Sequence, residues 1–275
     1  MIYYAPAKIN LGLQILRKRN DGFHDLSSLM IPIPFHDIIE IQKGTDKGFN
    51  FSSSGIDIPG KLEDNLCHKA WKLFCEKHQS LSIRIHLHKQ IPFGAGLGGG
   101  SSDASTILKA LNDLTNKPFT NNELKDMAAQ IGSDCPLFID SKAAHAEGRG
   151  EILSPIELDL SQYQLVLLKP EFGVSTKEAY SSIQANDQRP SLIELIKQPI
   201  ESWKNTIHND FEDNIFQLYP ELATLKQELY NSGATYASMS GSGSALFALF
   251  TSKANLSPTL QKHCIFTTQQ LTTNN

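Results

Sequence analysis

The chain has 275 residues, of which 40% are hydrophobic and 20% charged, and its formal net charge is −4 at pH 7. This composition is typical of a globular protein with room for one large domain or two of moderate size. The acidic balance argues against a nucleic-acid partner. The four cysteines are scattered and form no Cys-x-x-Cys pair, and the first residues are unlike a signal peptide. No apolar run has the length of a bilayer. These features predict a cytoplasmic protein without a membrane partner.

The first predicted element is a strand over residues 8–15, where apolar residues alternate with polar ones. This two-residue period is typical of a strand with one buried face. On the pattern alone, Lys8 and Asn10 lie on the opposite face and are solvent-facing residues of an edge strand. The next predicted elements are a turn over 20–24, strands over 29–33 and 37–42, a loop or hairpin over 44–60, and a helix capped by Asp64.

The densest glycine run of the chain lies between an alternating strand, residues 81–88, and a helical pattern, residues 104–114. A glycine loop that opens into a helix presents unpaired N–H groups at the positive end of the helix dipole, which favours a phosphate group. The dinucleotide fingerprint is rejected because no strand with an acidic end follows, and a Walker A loop is rejected because the run has no lysine. The run itself reads Pro92-Phe93-Gly94-Ala95-Gly96-Leu97-Gly98-Gly99-Gly100-Ser101-Ser102.

Capping boxes mark two helix starts in the rest of the chain, at Thr120 and at Ser175. The first of these helices is predicted to end near Gly132, and on local sequence the following Asp134 is a turn former. The remaining predicted elements are a hairpin over 146–153, a strand over 164–168, helices over 190–197 and 220–231, strands over 236–239 and 245–250, and a frayed tail over 267–275.

Several segments together carry a resemblance to a known family. Residues 92–102 resemble the second motif of the GHMP small-molecule kinases, which are named for galactokinase, homoserine kinase, mevalonate kinase and phosphomevalonate kinase. Residues 5–11 are similar to the first motif of that family and residues 240–244 to the third. Residues 131–138 resemble the segment that carries the catalytic aspartate. The order of these motifs along the chain is far more specific than any one of them.

The resemblance implies an α+β fold in two domains. Residues 1–154 would form the N-terminal GHMP kinase domain, with a mixed sheet and a left-handed βαβ unit. Residues 155–275 would form a ferredoxin-like C-terminal domain. Residues 209–212, which read Asn-Asp-Phe-Glu, match a family segment of uncertain chemical role.

The resemblance also implies site residues, and some of them have a plainer interpretation. Asn65 is equally explained as a helix cap, Lys89 as a surface lysine at a strand end, and Thr176 and Tyr180 as cap and partly buried core. The implied catalytic residues are Lys8 and Asp134; the implied ATP-binding residues are Asn65, Lys89 and each residue of the run from Pro92 to Ser102; the implied substrate-binding residues are Asn10, Phe23, His24, Thr176, Tyr180, Gly241 and Ser242.

The implied activity is ATP-dependent phosphorylation, with Mg²⁺, of the 2-hydroxyl of a cytidine-diphosphate-linked methylerythritol in the non-mevalonate isoprenoid route. Phe23 stands where tyrosine is common in such kinases, and stacking on cytosine survives the change because both rings offer a π face. Ser101 or Ser102 would hold Mg²⁺ or a phosphate oxygen. The alternatives are a sister kinase for homoserine or mevalonate and a non-enzymatic ligand sensor.

Overall fold

The structure is a computed structural model that describes residues 1–44 and 48–271. Its contacts divide the chain into two compact units, each made from separate segments. The predicted boundary between residues 154 and 155 stays a prediction, because these units group residues by packing and not by position along the chain. Unit 1 comprises Met1–Ala7, Phe35–Pro92 and Gly98–Lys142, and unit 2 comprises Lys8–Pro34, Phe93–Leu97 and Ala143–Asn275.

Strands and helices alternate irregularly along the chain, as expected for an α+β protein. In the described part of the chain, no helix combines the length and apolar character needed to cross a membrane. The strands are β1 (Ile2–Lys18), β2 (His24–Lys43), β3 (Phe49–Gly55), β4 (Ile83–Lys89), β5 (Ala144–Glu147), β6 (Ile152–Pro155), β7 (Gln164–Leu168), β8 (Tyr236–Met239), β9 (Leu246–Phe250) and β10 (Cys264–Thr267). The helices are α1 (Leu66–Lys77), α2 (Gly99–Leu114), α3 (Asn121–Ile131), α4 (Cys135–Asp140), α5 (Thr176–Ala179), α6 (Leu192–Leu195), α7 (Ile200–Thr206), α8 (Phe211–Leu218), α9 (Pro220–Asn231) and α10 (Pro258–His263).

Unit 1 contains a βαβ arrangement in which β3 and β4 are parallel and α1 lies between them in the chain. The other edge of β4 pairs antiparallel with β2, where Ile41 lies opposite Ile85. Side chains of α1, α2 and α3 pack with these strands in one apolar core, in which Phe74 and Leu108 are fully buried. The predicted helix after the glycine run is therefore confirmed as α2.

Unit 2 contains an antiparallel sheet in the order β10-β7-β9-β8. Buried residues of these strands pack with α8, α9 and α10 in a second apolar core that includes Val166, Leu225 and Ala248. Earlier in the chain, β5 pairs with residues 28–30 of β2 on one edge and with β6 on the other. The β5–β6 pair confirms the hairpin predicted over residues 146–153.

The strand predicted over residues 8–15 is confirmed as part of β1, but three details differ from the predictions. Residues 7–15 of β1 are all buried, so both faces are covered there, and Lys8 is 3% exposed and Asn10 1% exposed. The two strands predicted between residues 29 and 42 are one strand, because β2 pairs with β5 near its start and with β4 near its end. In the segment predicted as a loop or hairpin, residues 49–55 form the serine-rich strand β3, which pairs parallel with β4; residues 45–47 lie outside the described residues.

The predicted helix starts are confirmed at Thr120 and Ser175, where both halves of each capping box are present. The cap of α1 is Asn65 and not Asp64, because the Asn65 side chain accepts a hydrogen bond from the Cys67 N–H at 2.9 Å. The predicted helix over 190–197 is confirmed in part, as α6. Two helices that the sequence analysis did not predict, α7 and α8, follow it.

The end of the described chain is held in place by main-chain hydrogen bonds. Thr267 ends β10, and the Leu271 N–H donates to the Tyr163 carbonyl at 2.8 Å while the Leu271 side chain is fully buried. The prediction of a frayed tail is therefore wrong for residues 267–271, because an apolar anchor near its end was overlooked. Residues 272–275 lie outside the described residues.

Candidate active site

The second half of the glycine run forms the start of α2 in unit 1. Gly98 adopts a left-handed conformation with φ +71°, which favours glycine, and the helix begins at the next residue. Its first main-chain bond runs from the Ser102 N–H to the Gly98 carbonyl at 2.9 Å. The N–H groups of Gly99, Gly100 and Ser101 therefore have no acceptor within the helix. They lie at the positive end of a 16-residue helix, an arrangement that suits an anion; phosphate binding there stays a prediction.

Close packing explains why the helix starts with glycine and what its serines offer. A Cβ on Gly99 would lie 2.8 Å from Ile91 Cγ2 and 3.0 Å from Lys89 Nζ. The Ser102 hydroxyl is buried, and within the described residues it has no hydrogen-bond partner. Serine hydroxyl oxygens are hard donors of the kind that Mg²⁺ accepts, so the pair of serines fits that ion. Among the described residues, no group of three His, Cys, Asp or Glu side chains is placed to hold a metal.

Lys89 lies at the end of β4 in a buried ionic cluster with Asp37 and Asp103. Its ammonium donates to Asp37 Oδ2 at 2.5 Å and to Asp103 Oδ2 at 2.6 Å, and none of the three side chains is more than 3% exposed. Burial raises the pKa of Asp103 to about 7, and the neighbouring Asp37 carboxylate acts in the same direction while Lys89 opposes both. The surface-lysine interpretation of Lys89 is wrong, because its ammonium is a core cation; its role toward ATP stays a prediction.

Asp134 lies at the N-cap position of α4, although its side chain does not cap the helix. The residue is half-buried. The Ser105 hydroxyl of α2 donates to the Cys135 carbonyl at 2.7 Å and so fixes the start of α4 beside α2. The backbone that carries the Asp134 carboxylate is therefore anchored within unit 1, which is what a catalytic carboxylate requires.

Lys8 and Asn10 project side by side from β1 in unit 2. The Lys8 ammonium donates to Asn10 Oδ1, and Asn10 Nδ2 donates to Ser28 Oγ at 2.8 Å. The Ser28 hydroxyl in turn donates to the Gly12 carbonyl at 2.7 Å. This chain of hydrogen bonds fixes both predicted site residues, and the solvent-facing interpretation of them is wrong.

The first half of the glycine run, residues 93–97, packs in unit 2 on residues 240–244, which we call the Ser-Gly loop. A Cβ on Gly96 would lie 1.9 Å from the Ser240 carbonyl oxygen, and the Gly96 φ of +73° also favours glycine. The Ser240 hydroxyl donates to the Gly96 carbonyl at 2.9 Å, and the Ala245 N–H donates to the Ala95 carbonyl at 3.2 Å. The third motif thus supports the second, and Gly241 lies beside Asn10, since a Cβ on it would be 3.2 Å from Asn10 Oδ1.

Aromatic residues predicted to hold a nucleobase are also found in unit 2. The His24 and Tyr180 rings are stacked, with centroids 5.0 Å apart and an interplanar angle of 24°. Phe23 is 54% exposed, and the Arg149 guanidinium lies 5.0 Å from the centre of its ring. The structure thus brings His24 and Tyr180 together. Tyr180 is half-buried, and Thr176 is exposed. The arrangement of Tyr180 opposite Phe23 stays a prediction.

The chain belongs to the GHMP kinases: the model of the GHMP kinases N terminal domain matches residues 65–141, and that of the GHMP kinases C terminal domain matches residues 191–264. A relative from Azobacteroides pseudotrichonymphae, named 4-diphosphocytidyl-2-C-methyl-D-erythritol kinase, is 50% identical over 91% of this chain and 93% of its own length. A crystal structure of 4-(cytidine 5'-diphospho)-2C-methyl-D-erythritol kinase matches with a TM-score of 0.79 and 34% identity over 90% of each chain. A homoserine kinase structure from Cytophaga hutchinsonii, 19% identical over 92% of this chain and 85% of that one, shares the fold with a TM-score of 0.70. The predicted family and its α+β fold are confirmed.

Some residues that matter for the site were missed by the sequence analysis. Asp37 and Asp103 pair with Lys89. In the sequence they are visible only as a carboxylate in a predicted strand, for Asp37, and a carboxylate at a helix start, for Asp103. Asn209 and Glu212 belong to the family segment of uncertain role; Asn209 bonds to Gly241 of the Ser-Gly loop, and Glu212 bonds to Met239, the residue before that loop. Such partners are distant in sequence, so no local pattern indicates them.

The Asp103 carboxyl should make the stability of the chain depend on pH. Because its pKa is raised from 3.8 to about 7 in the folded chain, the folded state binds this proton more tightly than the unfolded state. The contribution is fully present below about pH 4 and is lost as the pH rises through about 7, with a slope of at most about 1.4 kcal/mol per pH unit. We expect Asp103→Asn to weaken the pH dependence of the free energy of unfolding between about pH 4 and pH 7, as measured by urea unfolding.

The exposed Asp126→Asn provides the control for this titration, since it makes the same change on the surface of α3. Its pH profile should follow that of the wild type. A profile of Asp103→Asn that is as steep as the wild-type profile would contradict the assignment of the proton to Asp103.

Gly96→Ala should destabilise the chain through its clash with the Ser-Gly loop. The added Cβ meets a carbonyl oxygen at 1.9 Å, so the loop must move, and we expect a loss of more than about 3 kcal/mol in thermal or urea unfolding. Gly94→Ala is the matched control: its φ is also positive, at +58°, but the nearest atom to its Cβ is 3.9 Å away. Its cost should be about 1 kcal/mol, and equal costs for the two variants would contradict the packing described.

Proposed function

We propose that the chain transfers the γ-phosphoryl group of ATP to the 2-hydroxyl of 4-diphosphocytidyl-2-C-methyl-D-erythritol, in the non-mevalonate route to isoprenoid precursors. The observation that carries the proposal is 50% identity, over 91% of the chain, to a kinase of that name. The glycine run over residues 92–102 and the predicted catalytic residues Lys8 and Asp134 support it. The enzyme would act in the cytoplasm, as the cysteine pattern predicts.

The nucleotide phosphates would bind at the start of α2. Phosphoryl transfer depends on positioning and on the neutralisation of charge more than on covalent chemistry. The N–H groups of Gly99, Gly100 and Ser101 lie at the positive end of the helix and suit phosphate oxygens. Ser101 or Ser102 would hold Mg²⁺, which would neutralise part of the charge on the phosphates.

Asp134 would accept the proton of the attacking 2-hydroxyl group. An alcohol is a far weaker acid than a carboxyl group, so this proton moves as the new O–P bond forms. Lys8 would stabilise the negative charge that develops on the transferred phosphoryl group. The hydrogen bond from Lys8 to Asn10 supports this role, because it holds the ammonium in one orientation.

The cytidine end of the substrate would bind in unit 2. Phe23 offers an exposed ring for stacking on cytosine, and His24 offers polar ring nitrogens beside it. Tyr180, stacked on His24, would limit the position of that imidazole and complete the aromatic site. Thr176 would lie on the nucleobase side with Tyr180. Asn10 and His24 would orient the substrate by polar contacts, and Gly241 and Ser242 would also contact it.

A sister kinase for homoserine or mevalonate is the alternative, but the specific observations do not favour it. The homoserine kinase structure from Cytophaga hutchinsonii shares the fold at only 19% identity. A substrate without cytosine would not require the Asp-Gly-Phe-His stretch at residues 21–24. A non-enzymatic sensor would not require Lys8 and Asp134 together with the glycine run.

A coupled assay of ADP release tests the proposal with three acceptors. We expect activity with 4-diphosphocytidyl-2-C-methyl-D-erythritol and none above background with homoserine or mevalonate. Activity that is greater with either of the small alcohols would overturn the proposed substrate. A lack of activity with all three, from a folded chain that binds ATP, would favour the sensor alternative.

Asp134→Asn should lower kcat by about 10²–10⁴-fold, because an amide cannot accept the hydroxyl proton. ATP affinity should remain nearly unchanged, since the phosphates bind at α2. Asp140→Asn is the matched control, as it makes the same substitution at the other end of α4, and it should retain near-normal kcat. Full activity in Asp134→Asn would remove this residue from the role of general base.

A further inference from the structure

We propose that Asn209 and Glu212 are positioning residues for nucleotide binding, which set the conformation of the Ser-Gly loop on which residues 93–97 rest. Neither would touch the nucleotide. The inference rests on the proposed function in one respect only, namely that the glycine run binds ATP. It gives the Asn-Asp-Phe-Glu segment at residues 209–212 a definite role.

Asn209 donates hydrogen bonds to main-chain carbonyl groups of the Ser-Gly loop and of the residue before it. Its Nδ2 donates to the Met239 carbonyl and to the Gly241 carbonyl, each at 2.8 Å. Its Oδ1 accepts from the Phe211 N–H at 3.1 Å, which determines which end of the amide faces the loop. Asn209 is 1% exposed, so all of these bonds are shielded from water, where an unpaired carbonyl is costly.

Glu212 fixes the strand that enters the loop. Its Oε1 accepts from the Met239 N–H at 2.7 Å and from the Ser238 hydroxyl at 3.1 Å. Its Oε2 accepts from the Lys226 ammonium of α9 at 2.6 Å. A carboxylate that is only 6% exposed requires such a complete set of partners. The two side chains together therefore hold residues 238–241 from one side.

The opposite side of the Ser-Gly loop contacts residues 93–97 of the glycine run and the Asn10 backbone. The Ser240 hydroxyl donates to the Gly96 carbonyl at 2.9 Å and accepts from the Asn10 N–H at 3.2 Å. The Ser244 N–H donates to the Gly94 carbonyl at 3.3 Å. A shift of the loop would therefore move residues 93–97 and the Asn10 backbone together, because Gly96 packs so closely on the Ser240 carbonyl that a Cβ would lie 1.9 Å from its oxygen.

Asp210, between the two positioning residues, serves a different element. Its carboxylate accepts from the Ile15 N–H of β1 at 2.7 Å and from the Arg189 guanidinium, with one of these contacts at 2.8 Å. It makes no hydrogen bond to the Ser-Gly loop among the described contacts. The same four-residue segment thus contains both the side chains to be tested and their control.

The experiment compares the affinity for AMP-PNP with Mg²⁺, measured by calorimetry, in the full chain and its variants. Asn209→Asp replaces the donor of two hydrogen bonds by an oxygen that repels both carbonyls. Glu212→Gln replaces the carboxylate by a neutral amide while keeping its shape. We expect both variants to raise the Kd at least tenfold and to raise KM for ATP more than they lower kcat.

Two controls separate positioning from a general loss of stability. Asp210→Asn and Leu260→Ala, the latter in the buried core at α10, should keep the Kd within twofold of wild type even where they lower Tm as much. The inference is overturned if Asn209→Asp and Glu212→Gln change the Kd no more than controls of equal Tm. If Asn209→Asp does not fold, Glu212→Gln decides the matter by the same comparison.

The result also separates this inference from the proposed function. A wild-type chain that binds AMP-PNP but does not phosphorylate the cytidine-diphosphate-linked substrate contradicts the proposed function alone, because the inference is judged from analogue affinity. A wild-type chain that does not bind AMP-PNP overturns both.

Discussion

The contact between Gly96 and the Ser240 carbonyl is the constraint on which the candidate site most depends. Two loops that lie 144 residues apart in the chain meet there so closely that a methyl group would not fit. Glycine is required for this reason as well as for its positive φ. The contact ties residues 93–97, the Ser-Gly loop and the Asn10 backbone together, so that the backbone groups of the candidate site are positioned before any ligand arrives.

Each unit has a buried ion pair beside one segment of the candidate site. In unit 1, Lys89 shares its proton donors between Asp37 and Asp103 directly behind the start of α2. In unit 2, Glu212 pairs with Lys226 and accepts hydrogen bonds from Ser238 and Met239, at the end of β8 that leads into the Ser-Gly loop. A buried ion pair contributes little net stability, and its value lies in the single arrangement that it permits.

Sequence patterns predicted those elements whose structure is determined by neighbouring residues. The helix after the glycine run, the capping box at Thr120 and the hairpin around residues 146–153 each follow from neighbouring residues, and each was confirmed. The continuity of β2, predicted as two shorter strands, and the serine-rich strand β3 were not predicted, because their pairing partners are distant in sequence. The family, its fold and the motifs were recognised from ordered segments, but the burial of Lys8 and Lys89 was not, since a charged residue is buried only when the rest of the chain supplies partners.

The account is tested most directly by a crystal structure of the chain with AMP-PNP and Mg²⁺. It predicts phosphate oxygens about 3 Å from the main-chain nitrogens of Gly99, Gly100 and Ser101. It also predicts that the Gly96–Ser240 contact is unchanged by the ligand, because these loops are already fixed. Phosphates bound away from the start of α2, or a Ser-Gly loop that rearranges to admit them, would contradict it.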